Sequence, residues 1–216
     1  NLIEQLAIRL SHKPVVGMGS IEKALRINQN SIALSSFIEP NVDADRTVDD
    51  ILSSIEGKII YCTNANSFCF DKQNRELYGI TYLIDFFKDL EGSILIISDT
   101  SGDYSKEFGK SLPDNVIIIE EDIDFCYLIQ QSDCFIRYTS TDGDSISVME
   151  SLFLKTSVIA TNCIRRHEAC ILCEYGDMES LAMAVKNFNE RRYIDFSNII
   201  SVHGSYDRLY GEIQKA

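Results

Sequence analysis

Phe135-Ile136-Arg137-Tyr138-Thr139-Ser140-Thr141-Asp142-Gly143-Asp144-Ser145-Ile146-Ser147-Val148-Met149-Glu150-Ser151-Leu152 changes character twice within a few turns of chain. Its first residues are a short apolar run of strand size. A polar, flexible loop follows Tyr138. From Ser145 the apolar residues Ile146, Met149, Leu152 and Phe153 recur at helical spacing and mark a core-facing stripe. A strand, a loop and a helix N-terminus in that order place unpaired backbone N–H groups and the positive end of the helix dipole beside the loop, where a phosphate group is stabilised. Asp142 in the loop and Glu150 about a turn and a half into the helix are eight positions apart and can flank one ligand. The plainer alternative is a capped helix with a solvated glutamate.

The same alternation extends to both sides. Strands are expected at residues 58–62, 94–97, 116–119, 134–138, 157–161 and 169–173, and helices at 79–90, 106–111, 124–131, 145–154 and 178–188, the last capped by Asp177. These strands are continuously apolar rather than alternating, so both faces are covered. Strand and helix take turns over about 130 residues, a pattern that builds an α/β fold: a doubly wound, mostly parallel sheet with helices on both faces. Ligands of such sheets bind outside the carboxyl ends of the strands.

The N-terminal stretch has a different rhythm. A strand is expected at 14–18, a helix at 20–27 and a second strand at 31–34, followed by a polar, acidic linker over 41–50. A last helix is expected at 206–215. The boundaries that follow are 1–50, 51–190 and 191–216, the last a C-terminal helical segment; a family resemblance carried by the second stretch implies that the first is a remnant of an N-terminal domain with its interdomain linker and the second a Rossmann-like nucleotide-sugar-binding domain.

The chain has 216 residues, 45% of them hydrophobic, which is enough for a real core. Its net charge of −13 excludes the basic footprint of a nucleic-acid binder and disfavours an anionic membrane face. No apolar run approaches the roughly 20 residues that span a bilayer, and no signal peptide is read. The chain begins with Asn1 rather than Met, so it reads as part of something longer. Seven cysteines, an odd number in apolar context, suit free thiols in a reducing, cytoplasmic compartment.

Three further patterns compete for chemistry. Gly17-Met18-Gly19 stands between a strand and a helix, but Glu22 occupies the place of the third glycine of a dinucleotide fingerprint, and a tight turn is the better reading. Cys163, His167, Cys170 and Cys173 can be assembled into a zinc set, yet a strand over 169–173 sends Cys170 and Cys173 to opposite faces. Asp142-Gly143-Asp144 can hold a divalent metal, but Asp43-Ala44-Asp45 and Asp122-Ile123-Asp124 have the same form in a very acidic chain. No metal site is expected.

The stretch over 134–177 resembles the C-terminal, donor-binding domain of GT-B glycosyltransferases of the group 1 (GT4-like) family. That family carries an acidic residue, seven intervening residues and a Glu, as Asp142 and Glu150 do here. Ser157-Val158-Ile159-Ala160-Thr161-Asn162 resembles the family's following strand, and Arg166-His167-Glu168 its next loop. Glu76-Leu77-Tyr78-Gly79-Ile80 resembles its "KG" helix start, and Ser36-Phe37-Ile38-Glu39-Pro40 its interdomain segment. The resemblance implies a retaining, metal-independent transfer of sugar from a nucleotide-sugar to a glycan or lipid-linked acceptor in bacterial surface polysaccharide synthesis. No cofactor is implied. The full-length protein would be cytoplasmic and peripheral at the inner membrane face.

It further implies roles for particular residues. Glu150 would bind ribose hydroxyls and Asp142 hydroxyls of the transferred sugar. Gly143, Asp144 and Ser145 would present backbone N–H groups to the diphosphate, and the base would sit near Glu120. Tyr78 stands where the family has a diphosphate-gripping Lys, and the loop over 63–74 lacks the family's Gly-Arg. Arg75 and Arg137 are the candidates for the missing charge. Loss of that grip would leave a non-catalytic GT-B-like binding or interaction module, the alternative function. A GT-B epimerase ranks last, because its cleft needs two whole domains.

Overall fold

The computed structural model describes residues 2–17, 20–34, 37–143, 145–190 and 211. Of the helix expected at 206–215 only Gly211 is described, and Asp144 and the Met18-Gly19 part of the glycine turn lie outside the described residues.

The core of the molecule is a six-stranded, wholly parallel sheet built from β3 (Ile59–Asn64), β4 (Ser93–Ser98), β5 (Val116–Ile119), β6 (Cys134–Arg137), β7 (Ser157–Thr161) and β8 (Ile171–Cys173), in the order β5-β4-β3-β6-β7-β8. The chain winds outward from β3 through β4 to β5, returns to lay β6 on the other side of β3, and winds outward again. β3 and β6 therefore meet at a topological switch, where the crossovers diverge and leave a crevice at the strands' carboxyl ends.

Continuous apolar strands give two cores, one per face. Tyr61, Leu95, Ile97, Ile136 and Ile159 point to the face covered by α4 (Ile80–Phe87), α5 (Asp103–Phe108) and α8 (Met178–Glu190). Their neighbours Cys62, Ile94, Ile96, Phe135, Val158 and Ala160 point to the face covered by α3 (Arg46–Ser53), α6 (Phe125–Gln131) and α7 (Ile146–Phe153). Every residue of β4 is buried. Burial of each large aliphatic side chain contributes roughly 1.5–3 kcal/mol, so this double-sided strand is a large share of the driving force.

Before this sheet, α1 (Leu2–Leu10) precedes β1 (Val15–Gly17), α2 (Ile21–Ile27) and β2 (Ile32–Leu34); the two strands pair in parallel and form a sheet of their own. The expected strand-helix-strand unit is there, and α1, for which the sequence reading had no element, packs on α2.

The expected linker over 41–50 is corrected: α3 begins inside it. Asp45 caps α3 by accepting from the amides of Thr47 and Val48, and Val48, Ile51, Leu52 and Ile55 pack on the sheet. Acidic composition masked a cap followed by helical apolar spacing. The expected short helix at 106–111 is likewise α5, three residues earlier, with a 3-10 turn over Gly109–Ser111. At the amino edge of the sheet, the turns before β3 and β4 carry Gly57 and Gly92 with nothing packed over them.

Candidate functional site

The loops after β3, β4, β5 and β6 converge on a cleft of about 440 Å³ at the switch point. Asn64 and Ala65 come from the end of β3, Thr100 from the loop after β4, and Asp122, Ile123 and Phe125 from the loop after β5 and the start of α6. Arg137, Asp142, Gly143 and Ser145 come from the end of β6 and the loop that leads into α7. Tyr78 closes the side facing α4.

Gly79 sets Tyr78 in place. It is the N-cap of α4 with φ +59°, and a Cβ there would stand 2.5 Å from the Tyr138 carbonyl oxygen. The buried Glu76 carboxylate accepts from the Thr81 amide at 3.2 Å and from the Tyr104 hydroxyl at 2.8 Å. The helix start expected around the "KG"-like position thus exists, with a phenol ring where a cation was sought.

The positive charge enters from β6 instead. Arg137 lies with its guanidinium 5.4 Å from the centre of the Tyr78 ring, a cation–π arrangement. Its Nη1 reaches the Asn64 Oδ1 at 3.5 Å, and Asn64 in turn donates to the Ser147 hydroxyl on α7 at 3.4 Å. Arg137 therefore belongs to both strands of the switch and faces the opening of α7. Ser145 caps α7 with extended backbone and no side-chain capping bond, so its helix presents its dipole to the cleft.

Asp142 lines the cleft with its carboxylate engaged by two arginines. Its Oδ1 accepts from Arg137 Nη2 at 3.1 Å and from the Gly143 amide at 2.9 Å. Its Oδ2 accepts from Arg137 Nε at 3.1 Å and from Arg166 Nη1 at 2.9 Å. Four donors fill both oxygens, and the side chain is 7% exposed. Burial would raise the Asp142 carboxyl, but the hydrogen bonds and charge of Arg137, then Arg166, hold it below the ordinary carboxylate range. The Gly143 amide, expected to meet a diphosphate, is turned to this carboxylate.

Arg75, Glu120 and Glu150 do not line the cleft. Arg75 is tied to Asp71 at 2.8 Å, donates to the Ser140 carbonyl at 3.1 Å and lies over the Tyr175 ring. It braces a loop outside the cleft lining; nothing in the sequence separated it from Arg137. Glu120 is exposed at the end of β5, against Gly102. Glu150 is half-buried on α7, with the Cys126 thiol of α6 as a neighbour. Burial raises its carboxyl above the ordinary value, the Cys126 hydrogen bond opposes this and the Asp124 charge adds to it.

The residue that sequence reading missed as a site member is Arg166. It was read only as part of the loop after β7, yet its side chain is 2% exposed. Its Nε also donates to the Thr161 carbonyl at 3.0 Å. Among the described residues no group of three or more His, Cys, Asp or Glu side chains is placed to hold a metal ion, and no helix is long and apolar enough to cross a membrane. Cys170 and Cys173 are buried in the sheet edge.

No family model and no curated protein matches the chain by sequence. Solved structures match in fold. HepE (Alr3699) of Anabaena, in complex with UDP, superposes with a TM-score of 0.74 at 12% identity, over 98% of this chain and 66% of that one. A glycosyltransferase from Rickettsia africae ESF-5 matches with a TM-score of 0.66 at 15% identity, over 94% of this chain and 62% of that one. The C-terminal domain of the glycosyl transferase group 1 family protein LpcC from Francisella tularensis has a TM-score of 0.50 at 16% identity, over 82% of this chain and 95% of that one. The chain spans less than two thirds of the length of the first two and nearly all of the isolated domain. In fold the chain is a Rossmann-like α/β unit similar to the matched part of these glycosyltransferases.

Proposed function

We propose that this chain is the donor-binding part of a glycosyltransferase that takes a sugar from a nucleotide-sugar. One observation carries this reading: the switch-point cleft sets Arg137, braced on Tyr78, opposite the start of α7, where the Ser145 side chain makes no capping bond. A guanidinium and a helix N-terminus converging on one cavity suit a diphosphate. The UDP held by HepE supports the same reading.

In the reaction, the bond from the sugar's anomeric carbon to the diphosphate oxygen breaks, and its electron pair departs with the diphosphate. The acceptor hydroxyl oxygen bonds that carbon, and its proton passes to the diphosphate, the base created in the step. Arg137 and the α7 dipole act where negative charge grows, as preorganised electrostatic stabilisation requires. Ser145 and the amides after it approach the phosphates. Glu150, on the helix that opens at the cleft, takes the ribose hydroxyls. The transfer is proposed to retain configuration, to proceed without a divalent cation, and to serve bacterial surface polysaccharide synthesis on a glycan or lipid-linked acceptor.

A thermal-shift panel of UDP-, GDP- and other nucleotide-sugars tests the reading. One class of nucleotide raises the Tm of the wild-type chain, EDTA leaves the shift in place, and Arg137→Ala removes it. A folded wild-type chain indifferent to every nucleotide would refute donor binding.

A further inference from the structure

Arg137 alone does not make the cleft cationic, because Asp142 binds it bidentately and cancels its charge. The surplus comes from behind the wall. Arg166 does not line the cleft, yet its guanidinium meets the same carboxylate at 2.9 Å, nearly free of solvent. The three side chains together carry one net positive charge; without Arg166 they carry none. The other carboxylate of the described lining, Asp122, is exposed on the loop after β5 and has no part in this cluster. In a setting this shielded from water, an uncompensated carboxylate costs far more than at a surface.

We propose that Arg166 is a positioning residue for diphosphate binding: by compensating Asp142, it leaves Arg137 fixed over Tyr78 with its charge available to the ligand. The proposal rests on the reading of the cleft as a nucleoside-diphosphate site. It explains how the site tolerates a tyrosine in place of a lysine at position 78. The cation has moved to β6, and a second, buried cation offsets the anchor that holds it.

The test is calorimetric binding of UDP and GDP to the 216-residue chain, each against uridine or guanosine, so that the diphosphate's share of affinity is read separately from the base. For the preferred nucleotide, Arg166→Met lowers the diphosphate-over-nucleoside preference about ten-fold and leaves nucleoside affinity unchanged. Arg166→Lys keeps most of the preference. The decisive variant is the double Arg166→Met, Asp142→Asn: removal of the carboxylate's charge restores the preference, where two merely structural lesions would compound. Equal losses for nucleotide and nucleoside in Arg166→Met, or a double variant worse than the single, would overturn the role of Arg166 and leave the cleft assignment standing. A wild-type chain that binds neither diphosphate better than its nucleoside removes both. Should Arg166→Met fail to fold by circular dichroism, Asp142→Asn alone decides, since it must not lower the diphosphate preference.

Discussion

Glu150 and Asp142 are carboxylates eight residues apart whose surroundings push them in opposite directions. For Asp142 the folded value is depressed, so its contribution to stability is present above the ordinary carboxylate range and is lost as pH falls through the folded value. For Glu150 the folded value is raised, so the native state binds the extra proton and stability declines as pH rises from the unfolded value through the folded one. We expect Glu150→Gln to melt higher than wild type at pH 7, with the difference gone below about pH 4. The same variant loses about ten-fold in nucleotide affinity. A calorimetric melt across pH and a nucleotide titration check the two halves. At Gly79 the left-handed backbone and the nearby Tyr138 carbonyl leave no room for a methyl group. Gly79→Ala is expected to lose roughly 2–3 kcal/mol of stability in urea unfolding. The sequence showed the Asp142–Glu150 spacing but not the partners. Arg166 lies 24 positions from Asp142, and only the β6–α7 and β7–β8 loops, brought side by side by the sheet order, make them neighbours.

At the scale of elements, β5 and β7 fall where the apolar runs fall, and β3, β4 and β6 within two residues of them, because a parallel strand covered on both faces needs an unbroken hydrophobic stretch. Helix α3 was hidden by its charge. Asp45 is its cap and also accepts from the Asp124 amide at 2.9 Å, while the Asp124 carboxylate accepts from the Asp43 amide at 2.9 Å. The two acidic loops are thus stitched together, and Asp124 caps α6 besides. The Asp124 backbone hydrogen bond, against the opposing effect of burial, holds the Asp45 carboxyl below its ordinary value. Asp45→Ala is expected to cost about 1 kcal/mol, the usual range for a lost cap. Asp45→Asn, which keeps the acceptor oxygen, is expected to cost less; chemical denaturation at pH 7 compares them. The three Asp-x-Asp patterns that looked interchangeable in sequence therefore do different work: two cap helices and tie loops, and one anchors an arginine.

Over the whole molecule, the sheet separates function from support. Four strands deliver their carboxyl-end loops to one cleft, and α/β alternation made that address legible before any side chain was placed. What sequence could not supply was which arginine enters the cleft, since Arg75 and Arg137 differ only in the partners that folding gives them. The opposite edge of the sheet, where Gly57 and Gly92 turn the chain in open solvent, carries none of the residues assigned to the ligand. Glu56 and Glu91, exposed beside those turns, are consequently the positions at which to attach a fluorophore or a sensor surface: a chain tethered there presents its switch-point cleft outward, unobstructed by the anchor.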